Sequence, residues 1–179
     1  MNEFADVLSG RLVIAEDDLA AEFEARLADS ATLAFRVAYS VVRQWQDAED
    51  VAQDAFARAY RRFHQLRDRE RFRAWLVRMT FRLALDYRRA AVRRSAREDA
   101  VGQASPTSIH GEVHAIEQER VSRLWAAIDD LPERLRLVVV LSAIEGHSVR
   151  DVAALVGAPE GTVKSRLFEA RAKLRERLR

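Results

Sequence analysis

Apolar residues recur along most of this chain at three-and-four spacing, the mark of helices that bury one face. Phe23, Leu27 and Ala31, then Leu33, Val37, Val41 and Val42, predict two helices within residues 18–43. Asp47 is placed to cap a third helix running to about Phe63, with Val51, Ala55, Ala59 and Phe63 inward. A polar segment, His64 to Arg69, precedes a long helix over roughly 70–90, whose stripe is Phe72, Trp75, Leu76, Met79, Leu83 and Tyr87. The pattern breaks over 91–117, where arginines give way to Gly102, Ser105, Pro106, Thr107, Ser108 and Gly111, a composition typical of linkers. It resumes at Val121, Leu124, Trp125 and Ile128, and Pro132 opens a further helix through Leu135, Val138, Val139, Leu141 and Ile144 to Gly146. Strand-like alternation is nearly absent. The expected fold is all-α: two small helical domains joined by a flexible linker.

The C-terminal segment carries the most specific local signal. Ser148 and Asp151 have the spacing of a capping box. Val152, Leu155 and Val156 share one face, Gly157 suits a left-handed helix stop, and Pro159 suits the first turn of the next helix. Val163, Leu167, Ala170 and Leu174 continue inward, while Lys164, Arg166, Arg171, Lys173, Arg175 and Arg177 are left outside. A short helix, a tight turn and a basic second helix form a helix-turn-helix, whose second helix enters the DNA major groove. Gly161 and Lys164 do not make a phosphate loop, because Thr162 and Val163 separate them and no strand precedes.

Charge sharpens this picture. The net charge of +2 over 179 residues conceals an acidic start and two basic segments. Residues 1–30 hold eight acidic residues against two basic; residues 55–98 hold fourteen arginines against four acidic residues; residues 148–179 hold eight basic against four acidic. Two separate basic segments are the footprint of a chain that meets phosphates in two places. The absence of cysteine excludes disulfides and most structural zinc sites. His110 and His114 read as linker polarity, so no metal or cofactor is expected. With no nucleophilic cysteine, metal cluster or Gly-rich loop, an enzyme is not expected. No apolar run is long enough for a membrane span and no signal peptide is visible, which points to a cytoplasmic chain without membrane insertion.

Taken in order, these pieces resemble the sigma-70 family of bacterial RNA polymerase initiation factors, in particular the compact extracytoplasmic-function (ECF) group. The resemblance covers roughly residues 20–94 and 119–177. It rests on Asp47-Ala48-Glu49-Asp50-Val51-Ala52-Gln53-Asp54-Ala55-Phe56, on Phe72-Arg73-Ala74-Trp75-Leu76 continuing to Leu83-Ala84-Leu85-Asp86-Tyr87-Arg88-Arg89, and on Leu131-Pro132-Glu133-Arg134 through Gly161-Thr162-Val163-Lys164-Ser165-Arg166-Leu167. It implies an acidic N-terminal arm (1–17), a region-2-like domain (18–94), a linker (95–118) and a region-4-like helix-turn-helix domain (119–179).

The resemblance also implies the partners and the contacts. Asp47, Glu49, Asp50, Gln53 and Asp54 would dock on the clamp helices of the polymerase's largest subunit, with the flap region a further contact on the polymerase. His64, Gln65, Arg67, Phe72, Arg78, Arg82, Asp86 and Arg89 would open the −10 promoter element and hold its single strand. Trp75, at helical spacing with Leu76 and Met79, reads as core. Thr162, Lys164, Ser165, Arg166, Phe168, Glu169 and Arg171 would read the −35 element as duplex. Promoter DNA and core polymerase are thus the implied partners, and an anti-sigma factor is a candidate third. Two departures matter: Phe81-Arg82 stands where relatives commonly carry Arg-Asn, and Glu169 stands where an arginine is frequent. A stand-alone helix-turn-helix regulator with a sensing N-terminal domain is the competing reading. It accounts for 119–179 but leaves the acidic-start helix and the arginine-rich helix without a role. A purely helical scaffold is the remaining alternative.

Overall fold

A computed structural model describes residues 18–99 and 112–179, with side chains for 18–95, 97 and 118–179. The acidic arm 1–17 and His110 lie outside the described residues, and His114 lies in a helix without a described side chain. The helices are α1 (18–28), α2 (Ala31–Val42), α3 (Trp45–Arg62), α4 (Phe72–Asp99), α5 (Glu112–Asp129), α6 (Glu133–Val139), α7 (Val149–Val156) and α8 (Glu160–Arg177). Two 3-10 turns, Phe63–Gln65 and Arg69–Arg71, join α3 to α4, and a π turn, Val140–Ile144, extends α6. The described residues contain no strand.

The ends of the helices follow local chemistry, with two differences from expectation. Helix α3 begins two residues before Asp47, because Gln44 caps it by accepting a hydrogen bond from Trp45 N at 2.9 Å. Asp47 lies in the first turn and accepts one from the Tyr87 hydroxyl at 2.6 Å, which ties α3 to α4 and raises the Tyr87 pKa through that bond and partial burial. Helix α2 stops at Arg43, which takes the left-handed conformation (φ 59°) with its N–H on Tyr39 O. Helix is also more extensive around the expected linker: α4 runs to Asp99 and α5 starts at Glu112, leaving 100–111 between them.

Two apolar clusters hold the chain. In the first, Phe23, Phe63 and Phe72 meet edge to face with ring centroids 5.3–5.6 Å apart. Ala34, Ala55 and Ala59, fully buried and small, let α2 and α3 approach closely beside Leu76. The second cluster belongs to both halves. Val37, Val41, Val77, Phe81 and Leu85 from the first join Leu135, Val138, Leu141, Val152 and Leu155 from the second in one contiguous core. Helix α4 therefore carries a second buried stripe, Val77, Phe81, Ala84 and Leu85, besides the one its periodicity predicts. Along this seam α4 lies against α7, and α2 against the π turn. The expected pair of domains is present, but in this structure they are packed on each other.

Leu141, fully buried, sits in the shared cluster. Leu141→Ala leaves a cavity there and lowers stability by about 3 kcal/mol. Urea denaturation of the full chain measures it, and a much smaller loss would mean that this core closes over the gap.

Candidate nucleic-acid interface

The helix-turn-helix forms as its sequence dictates. Ser148 Oγ accepts from Asp151 N at 3.2 Å while Asp151 Oδ2 accepts from Ser148 N at 3.3 Å and from Ser148 Oγ at 2.6 Å. The Ser148 hydroxyl and N–H hold the Asp151 carboxyl below the usual carboxylate range. Gly157 takes φ 69°, the left-handed geometry that reverses the chain, and Pro159 immediately precedes the first residue of α8, Glu160. Val163, Leu167 and Ala170 fix α8 on the core. Of the expected −35 contacts, Lys164, Ser165, Phe168 and Arg171 are exposed, and Thr162, Arg166 and Glu169 are half-buried. Phe168 is 74% exposed, an unusual setting for a phenyl ring. Ser165 Oγ donates to Thr162 O at 2.9 Å, and Lys164 stands 3.9 Å from Glu160. Glu169 is held by Arg134 of α6 at 3.3 Å.

On the first half, His64, Gln65 and Arg67 stand exposed on the loop that leads into α4. The loop is braced by Arg69, which donates to Phe63 O and lies 4.0 Å over the Phe63 ring. Arg26 of α1 donates to Arg69 O at 2.8 Å and to Glu70 at 3.0 Å. Phe72 is 1% exposed inside the triad of phenyls, so it supports this loop from below and has no face free for a base. Trp75 is half-buried against the same cluster, as its spacing suggested. Arg82, Asp86 and Arg89 are exposed along α4, with Arg89 bound to Asp86 at 3.1 Å. Arg78 is half-buried and donates to Leu155 O of α7 at 2.9 Å. Burial, followed by the nearby Arg82 and Arg71 charges, pushes its pKa down. Its contact is therefore to the other half, not to open solvent. Arg71, Arg73, Arg78, His147 and Arg150 line a cleft of about 970 Å³ at this junction.

On α3, Glu49, Asp50 and Gln53 are exposed, while Asp47 and Asp54 are half-buried, with Asp54 bound to Arg58 at 2.9 Å. The polar seam between the halves was not legible as such. Asp129, nearly buried, is gripped by Arg43 and Arg88, and Arg43 also lies 4.8 Å from the Trp125 ring. Arg89 binds Glu133 across the seam. Arg36 Nε stands 2.6 Å from the buried Glu145 Oε2, within ion-pair range though outside hydrogen-bond alignment. These residues are charges on helix faces, and in a sequence such positions read as solvated.

Comparison with known proteins decides the family. The pattern of sigma-70 region 2 matches residues 28–94, and that of sigma-70 region 4 matches residues 122–174. The ECF RNA polymerase sigma-E factor of Haemophilus influenzae is 32% identical over 141 residues, covering 74% of this chain and 75% of its own length. The sigma-E factor of Escherichia coli K12 is 34% identical over 134 residues, 70% of each chain. The chain belongs to the sigma-70 family, in its ECF group. The fold agrees. CnrH, solved with the cytosolic domain of CnrY, is similar with a TM-score of 0.55 at 28% identity, over 86% of this chain and 85% of its own. The sigma factor RpoE of Bartonella quintana, solved with the anti-sigma factor NepR, is similar at 0.51 and 26%, over 87% of this chain and 96% of its own.

This sigma factor is thus a non-catalytic specificity subunit that directs promoter-specific transcription initiation by RNA polymerase. None of its described helices is long and apolar enough to cross a membrane. Because both halves of the seam depend on Asp129, Asp129→Ala leaves Arg43 and Arg88 unpaired and loosens the junction. Small-angle scattering of the free chain then shows a radius of gyration above that of the unsubstituted protein, itself near the roughly 16 Å of a compact chain of this length. An unchanged radius would mean that the apolar seam alone holds the halves.

Proposed function

We propose that this factor reads a −10 element with its first domain and a −35 element with its second, and that the packed arrangement seen here is its resting state. The supporting observation is the Arg78–Leu155 contact, which puts the arginine-rich helix against the helix-turn-helix. By their numbering the two elements lie about 25 base pairs apart, roughly 85 Å along duplex DNA at 3.4 Å per base pair. A compact chain with a radius of gyration near 16 Å cannot span that distance. The halves must therefore part before both elements are held at once, and core polymerase is what fixes their separation. Binding through two weak contacts gains only when the linkage matches the spacing.

In this reading Glu49, Asp50, Gln53 and Asp54 dock on a basic surface of core polymerase, the largest subunit's clamp helices in the family, while the second domain meets its flap. Asp47 acts at that site by tying α3 to α4 through Tyr87. His64, Gln65, Arg67, Arg82, Asp86 and Arg89 receive the melted −10 strand, and Arg78 joins them once the seam opens. Thr162, Lys164, Ser165, Arg166, Phe168 and Arg171 face the −35 duplex. The factor works where polymerase and chromosome are, in the cytoplasm. CnrY and NepR accompany the two similar structures. An anti-sigma factor that prefers the packed arrangement is the corresponding regulator here.

Reconstitution with core polymerase tests the reading. The full chain should co-purify with core and start transcripts downstream of a −35/−10 pair, and free chain should bind the same DNA far more weakly. Promoter binding as tight without core would favour the stand-alone regulator instead. Glu169 gives a finer test, since a carboxylate can accept from cytosine but repels phosphate. Glu169→Arg also breaks the pair with Arg134. It should change the preferred −35 sequence in promoter selection by about tenfold at the affected base pair, and unchanged selectivity would remove Glu169 from the reading set.

A further inference from the structure

An aromatic corner stands at the end of the acidic face of α3. Trp45 is 58% exposed and Tyr39 is 44% exposed. Phe35 backs them, with ring centroids 4.6 Å from Trp45 and 6.3 Å from Tyr39, and Tyr39 and Trp45 are 6.2 Å apart. Three aromatics gathered in one exposed patch, unlike single exposed apolar residues, are the kind of surface that marks a contact site. Here the ring has a set direction, because Trp45 Nε1 donates to Glu49 Oε1 at 2.8 Å. Trp45, Glu49 and Gln53 follow at i, i+4 and i+8, so the indole continues the polar stripe along one face of α3.

Charge says what that stripe would accept. Among the described residues neither Glu49 nor Asp50 has a cation within ion-pair distance, whereas Asp54 is bound to Arg58 and Asp47 accepts from Tyr87. Two uncompensated carboxylates beside an exposed indole suit a cationic side chain that lies over the ring while its charge meets the acids. Arginine fits best, since its flat guanidinium stacks and still donates at its edge.

We propose that Trp45 and Tyr39, with Glu49 and Asp50, form an aromatic extension of the polymerase-docking face, and that it takes an arginine-bearing helical surface of core RNA polymerase. This rests on the reading of α3 as the docking helix and adds a specific anchor to it. The ring supplies apolar area at small entropic cost, and the carboxylates set orientation.

The test measures binding of the labelled full chain to core polymerase for three groups of variants. Trp45→Ala and Tyr39→Ala should each weaken binding by about tenfold, and Trp45→Phe should recover most of the loss because a ring remains. Both positions are open to solvent, and circular dichroism with thermal melting confirms that each variant keeps its fold. Asp50→Lys tests the docking helix itself and should weaken binding at least as much. If Asp50→Lys weakens binding while Trp45→Ala and Tyr39→Ala bind like the unsubstituted chain, the aromatic anchor is refuted and the docking helix stands. If all three bind normally, the docking helix falls as well. Loss in Trp45→Ala that Trp45→Phe does not recover would assign the effect to the indole N–H on Glu49 and not to a stacked cation, overturning the proposed mode.

Discussion

The seam between the halves sets how this molecule is packed. Its core is apolar and continuous, and its rim is set by carboxylates of the second half held by arginines of the first. Asp129 is the central case: a nearly buried charge with two guanidiniums on it, next to an indole that Arg43 overlies. Such pairs add little net stability over an apolar seam, because desolvation offsets most of the attraction. They do make the seam specific. A carboxylate deprived of its arginines would be left in a poor environment, so the halves meet in one register or part altogether. That behaviour suits the proposed function, in which the two halves are together in one state and far apart in another.

In the proposed function the same arginine-rich helix serves both states. Val77, Phe81 and Leu85 of α4 are buried in the core shared by the two halves, while Arg82, Asp86 and Arg89 on the same helix are exposed. Arg78 lies between these roles, desolvated and bound to a carbonyl of the helix-turn-helix. A guanidinium with only a carbonyl for company is less well compensated than one on a phosphate. In the proposed function, opening the seam would exchange that modest contact for stronger ones on nucleic acid, which would offset part of the cost of separation. The turn of the helix-turn-helix is set locally by contrast. Its capping box and its left-handed Gly157 are satisfied within the second half, while its buried Val152 and Leu155 belong to the core shared with the first.

Much of this was legible in the sequence, for identifiable reasons. Helical periodicity located the helices, and the Ser148–Asp151 and Gly157 signals fixed the helix-turn-helix because each is a local backbone requirement. Side-chain roles were harder. Asp47 looks like a cap but is a hydrogen-bond acceptor for Tyr87, since the true cap, Gln44, lies in a residue class that caps less often. Phe72 looks available to a base, yet the packing of three phenyls claims it. The second buried stripe of α4 was missed because it is interleaved with arginines, and periodicity shows one face best. The seam itself was invisible: Asp129, Glu133 and Glu145 have ordinary spacing, and only their distant partners make them structural.

The proposed function has the halves joined in the free chain and separated on promoter-bound polymerase. The chain contains no cysteine, so two can be placed at will. Ala57 on α3 and Ala172 on α8 are small and exposed and suit spin labels after substitution to cysteine. Electron–electron double resonance should give one narrow distance distribution for the free chain. In the promoter complex with core polymerase it should move outward by tens of ångströms, as two elements roughly 85 Å apart require. The same distribution in both states, or a broad long distribution in the free chain, would contradict the account.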